Sequence, residues 1–163
     1  MRTATIVSMI AGGLVLSTGA LQAQSATIQV TATVLSQLTA AAGTTLAFGN
    51  VTPGVAKTVS AAAASAGSFN LTGQNNQGVQ MSFTLPTNLT SGANNLPIGT
   101  WTGLFNQVNV QAGTAFTPSA AGQNATLSAT GRLFLWVGAT VTPAAAQVAG
   151  SYTGSVVLNV VYQ

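Results

Sequence analysis

No aspartate, glutamate, histidine or cysteine occurs anywhere in the 163 residues. General acid and base work at neutral pH draws on His, Asp, Glu, Cys, Lys or Tyr, and side-chain metal sites are built from imidazole, thiolate or carboxylate. The sequence therefore offers no catalytic residue, no cofactor-binding residue and no metal ligand, and it reads as a protein that is not an enzyme. Two reactive arrangements are left: Lys57 beside a serine as a Ser/Lys pair, and the phenols of Tyr152 and Tyr162. The plainer reading of Lys57, inside a Thr/Ser/Val strand, is an edge charge that discourages uncontrolled pairing.

Charge is almost as scarce as acid. Arg2, Lys57 and Arg132 are the only charged side chains, too few and too scattered for the clustered basic face that nucleic acid requires. The calculated pI near 10.3 reflects missing acids, not abundant bases. Without cysteine there is no disulfide framework, so burial and backbone hydrogen bonds must hold the fold. Apolar residues make up 47% of the chain, well above what a disordered segment carries. A surface of Thr, Ser, Asn and Gln offers little electrostatic resistance to self-association.

A first prediction follows from composition. Acid unfolding arises mostly from carboxylates and imidazoles that bind protons differently in the two states, and the residue types that titrate between about pH 3 and 9 are missing here. Melting temperatures measured at pH 4 and pH 8 should therefore agree within a few degrees. A large drop at the acid end would contradict this.

Residues 1–23 have the form of an export signal. Arg2 supplies the positive start, Ala4 to Leu16 is an apolar run broken by Thr5, Ser8 and Gly12-Gly13, and Leu21-Gln22-Ala23 offers a cleavage site after Ala23. A membrane helix needs about 20 mostly apolar residues, so no span is expected once the signal is removed. The remaining residues 24–163 suffice for one domain with its own core.

That domain opens on Ala26 to Leu35, ATIQVTATVL. Ile28, Val30, Ala32 and Val34 fall on one face, and Thr27, Gln29, Thr31 and Thr33 on the other, the two-residue period of a half-buried strand. Such a strand needs a partner sheet, from its own body or from another copy of the chain. Further strands are expected at Thr45 to Phe48, Val55 to Ser60, Gly67 to Gly73, Val79 to Leu85, Ile98 to Trp101, Gln107 to Gln111, Ala125 to Thr130, Arg132 to Val141 and Ser151 to Tyr162. Thr52-Pro53-Gly54 marks a turn with Gly54 at positive φ. Arg132 to Val141 is apolar on both faces, as a strand deep in a sandwich should be, and Trp136 within it is expected in the core. Trp101, between threonines near a loop, is a candidate ligand contact. Nine or ten short strands, no 3.6-residue pattern after the signal and no internal repeat predict an all-β antiparallel sandwich. The four Asn-x-Thr sequons, at Asn50, Asn70, Asn88 and Asn124, are what a chain rich in Asn and Thr produces by chance.

Three blocks carry a resemblance: TIQVTATV at Thr27 to Val34, LAFGNVTPG at Leu46 to Gly54, and VGATVTPAAAQVAGSYTGSVVLNVVY at Val137 to Tyr162. Together they resemble the bacterial secreted family called domain of unknown function 4402, and more distantly the major pilins of the alpha class of chaperone-usher fimbriae. The resemblance implies an incomplete immunoglobulin-like β-sandwich completed by donor-strand exchange. Its groove would be filled first by a periplasmic chaperone and then, at an outer-membrane usher, by the leading strand of the next subunit in a homopolymer. Carried over, Ile28, Val30, Ala32 and Val34 would be the donor residues, and Tyr152, Val156, Leu158 and Val160 would help line the acceptor groove. The function implied is a structural subunit of an extracellular fimbrium, exported through the periplasm of a Gram-negative bacterium. A secreted carbohydrate- or surface-binding adhesin and a biofilm-matrix or functional-amyloid protein are the alternatives.

Overall fold

The structure, a computed structural model, describes residues 24–163; the predicted export signal lies outside the described residues. Ten strands and no helix make up the described residues. They are β1 (Thr39–Ala42), β2 (Lys57–Val59), β3 (Gly67–Thr72), β4 (Gly78–Thr84), β5 (Asn88–Ser91), β6 (Asn94–Asn106), β7 (Thr114–Phe116), β8 (Gln123–Thr126), β9 (Arg132–Val141) and β10 (Val157–Tyr162). All pairings are antiparallel. One sheet runs β1-β3-β9-β6-β5, with β2 also on β9 and β7 on β6, and a second runs β10-β4-β8. The protein is thus an all-β sandwich, as its sequence predicts. No helix among the described residues is long and apolar enough to cross a membrane.

The two sheets meet over alternating side chains. Val79, Met81 and Phe83 of β4 are buried against Leu71 of β3 and Leu133 and Leu135 of β9, with Leu127 completing the cluster, and Gln80 and Thr84 point out. This is the pattern of a sheet with one wet face. Strand β9 is apolar on both faces for a further reason. Its outer face is roofed by the turn at residues 60–66, so that Trp136 packs with Val59, Ala61 and Ala66. Gln111 pins that roof by donating from Nε2 to the carbonyls of Ala61 and Ala63, at 2.8 and 2.7 Å. The roof approaches so closely that a Cβ at Gly138 would collide with the Val59 carbonyl.

Several elements differ from expectation. Strand β6 is one long strand where the sequence suggests only Ile98 to Trp101, and the expected strand at Gln107 to Gln111 is a series of bends. Strands β1, β5 and β7 form in stretches that read as loops. Gly54 adopts φ of 76° as expected. The largest difference is at the front. Residues 24–38 contain no strand at all, although 26–35 alternates as clearly as any segment of the chain. Ile28, Val30 and Val34 are 84, 85 and 92% exposed. A strand's hydrogen bonds come from a neighbour, and alternation alone does not supply one.

Candidate functional site: an open groove between two unpaired edges

Main-chain pairing can be followed around the body. Residues 43–47 bond to residues 65–68, with Gly43 N donating to Ser68 O at 2.8 Å, Ser68 N to Thr44 O at 2.9 Å and Ala47 N to Ser65 O at 2.9 Å. From there β3 pairs with β9, β9 with β6 and β6 with β5. Thr90 of β5 then exchanges two bonds with Thr153, at 2.8 and 3.0 Å. The circuit stops there. Among the described residues no main-chain hydrogen bond forms between residues 42–51 and residues 148–156, and within 148–156 Thr153 alone makes main-chain to main-chain bonds to described residues. A row of free N–H and C=O groups along such an edge is a template for another strand.

A groove of about 940 Å³ lies between these two walls. Leu46, Phe48 and Val51 come from one wall and Tyr152 and Val156 from the other, and Leu89, Leu96, Ile98, Trp101 and Val141 also line it. Buried Leu96, Ile98, Ala139 and Val141 form a cluster on which Phe48, Val51, Leu89, Trp101 and Tyr152 pack. The floor of the groove is therefore apolar, while Thr44, Asn50, Gln147 and Ser151 add polar groups to its lining.

Trp101 reaches this site because β6 carries a bulge. The register moves from Gly99 opposite Thr140 to Thr102 opposite Gly138, and Thr100 takes a left-handed φ of 47°. One extra residue reverses which side chains face inward: Leu96 and Ile98 before it, Trp101 and Gly103 after it. The 148–156 wall is stiffened in turn. The Tyr152 hydroxyl donates to Val148 O and accepts from Gln147 Nε2, both at 2.7 Å, and Gln147 Nε2 also reaches Asn95 O at 3.0 Å.

The two walls run in opposite directions. At one end Gly54 N donates to Ala144 O at 3.0 Å, and at the other the Tyr162 hydroxyl donates to Ser36 O at 2.7 Å. Of the residues singled out in the sequence, Tyr152, Val156 and Trp101 line the groove. Leu158 and Val160 lie further along, half-buried against the larger core with Leu38. Ile28, Val30 and Ala32 belong to the separate unit that ends at Thr33, and Val34 to the body, where it is exposed. Lys57 donates to Asn50 O at 2.8 Å, which ties β2 to the tip of the 42–51 wall. The sequence marks that wall by the expected strand at Thr45 to Phe48, which the structure does not form, and by the block LAFGNVTPG, and it gives no signal for the floor residues Leu89 and Leu96. No protein-family model matches this chain, and a search of curated proteins finds no match.

Proposed function

We propose that the protein is a structural subunit of a secreted, surface filament, in which residues 26–35 of one copy fill the groove of the next. The observation that carries this reading is a groove whose two walls, residues 42–51 and 148–156, share no main-chain hydrogen bond among the described residues, in a chain that also holds a ten-residue segment of strand pattern with no strand of its own. The two are complementary in chemistry. The groove has an apolar floor and is flanked by backbone that lacks main-chain partners among the described residues, and the segment offers one aliphatic face and the backbone groups of a strand.

Because the walls run in opposite directions, an inserted strand is antiparallel to one and parallel to the other. A strand antiparallel to 148–156 lies parallel to 42–51 and leaves the groove at the Gly54 end, and the donor's body begins at the end that holds Ser36 and Tyr162. Copies then stack head to tail through a heterologous contact, which gives an open filament when its rotation does not close into a ring. The body is an immunoglobulin-like sandwich one strand short, in keeping with the pilin resemblance. A groove of this kind needs cover during export, the role that a periplasmic chaperone and an outer-membrane usher would fill.

Burying Ile28, Val30 and Val34 at about 1.5 to 3 kcal/mol each gives roughly 5 to 9 kcal/mol as an upper bound. Ladder hydrogen bonds add about 0.5 to 1.5 kcal/mol apiece, and ordering the segment offsets part of the sum. Such β-augmentation gives durable contacts from a short segment. Electron microscopy of the purified, concentrated chain beginning at residue 24 tests the reading. Filaments are expected, and a stable population of monomers alone would contradict it.

A further inference from the structure

The hydroxyl of Tyr162, at the end of β10, joins three segments. It accepts from Gln74 N at 2.6 Å and donates to Ser36 O at 2.7 Å, and Ser36 answers by donating from N and Oγ to Gln74 Oε1 at 3.2 and 3.0 Å. The site is built for the ring: a Cβ on Gly73 would collide with the Tyr162 hydroxyl. Just beyond Ser36, Leu38 packs on the main core. The chain is thereby fixed at one end of the body immediately before β1 begins.

This fixing bears on a choice that the groove alone leaves open, since residues 26–35 match their own groove as well as a neighbour's. To enter its own groove, the segment must reverse direction just before β1 and run antiparallel to residues 42–51. Reversals that tight favour Gly, Asn, Asp or Pro, with Ser weaker, and Val34 to Leu38, VLSQL, offers only Ser36. The reversal would also have to take place at the residue the clamp holds. Entering a neighbour's groove requires neither.

We infer that the Tyr162–Gln74–Ser36 clamp is a positioning device that disfavours self-closure and commits the leading segment to a second copy of the chain. The inference rests on the strand-exchange reading and adds to it the feature that selects between the two destinations. Tyr162 acts through Ser36 and touches no ligand.

Hydrogen exchange on dilute monomer tests it, with Tyr162→Phe, which removes only the hydroxyl and with it the bonds to Ser36 O and Gln74 N, and Ser36→Gly, which removes the Oγ bond to Gln74 and supplies a turn residue. In the wild-type monomer the amides of residues 27–34 should exchange freely. In both variants they should gain protection of about tenfold, the factor expected when hydrogen bonds of ordinary strength no longer oppose closure. A clamp that only stabilised the body would give the opposite sign, faster exchange in β10 and no gain at 27–34. That result, or variants indistinguishable from wild type, overturns the inference. Failure of the filament reading shows elsewhere: concentrated wild-type chain stays monomeric, and a synthetic ATIQVTATVL peptide leaves the groove amides of residues 148–156 unprotected.

Discussion

Val30→Asp should abolish assembly while leaving the folded body intact. Val30 is 85% exposed in the single chain, so its replacement removes no contact from the core, and the melting temperature of the monomer should move little. In the filament the same position lies at the middle of the donor face. Losing valine burial costs about 1.5 to 3 kcal/mol, and an unpaired carboxylate in an apolar groove costs several more. At 1.4 kcal/mol per factor of ten, the association constant should fall by about a thousandfold or more. Thr31→Asp, one residue along on the opposite face, should assemble nearly as wild type. The pH dependence adds a check whose sign is fixed. Burial raises the pKa of the introduced acid in the assembled state, so the penalty is present at neutral pH and fades as pH falls through that raised value. Because the chain has no other acidic side chain, recovery of assembly in acid would report on this one group. Filaments of Val30→Asp at neutral pH would count directly against strand exchange.

The second large effect is the difference between a filled and an unfilled subunit. A ligand that binds only the native state stabilises it, and here the ligand is the neighbour's leading segment. With about 5 to 9 kcal/mol as the upper bound on side-chain burial and roughly 2 to 4 °C per kcal/mol for a chain of this size, filaments should melt about 10 to 30 °C above dilute monomer. Scanning calorimetry of the two forms at one pH measures this. Equal transitions would mean that assembly leaves the groove as it was.

How much of this was legible in the residues depends on what each pattern encodes. The alternation Val79, Met81, Phe83 reports which side chains face inward, and β4 buries all three. The apolar run of β9 told of burial on both faces, although not that the 60–66 turn provides the outer cover. Strand β6 was illegible as one element because Pro97, Gly99 and Gly103 interrupt its pattern, yet pairing with β9 on one side and with β5 and β7 on the other holds it together. Within the 42–51 wall the strand expected at Thr45 to Phe48 does not form, and the wall's place comes from its bonds to residues 65–68 beside β3. Most instructive is 26–35, whose strong alternation predicted a strand that the single chain does not form. Side-chain pattern specifies a face to be buried and is silent about which molecule buries it. The bulge that turns Trp101 into the groove was equally invisible, since it depends on the register with β9.

The most direct test is a cryo-EM map of the assembled protein at a resolution that separates strands. It should show residues 26–35 as an extended strand between residues 42–51 and 148–156 of the adjacent copy, antiparallel to the latter, with Ile28, Val30, Ala32 and Val34 facing Leu96, Ile98 and Val141. A map in which that groove is empty, or is occupied by residues of the same copy, would contradict the account.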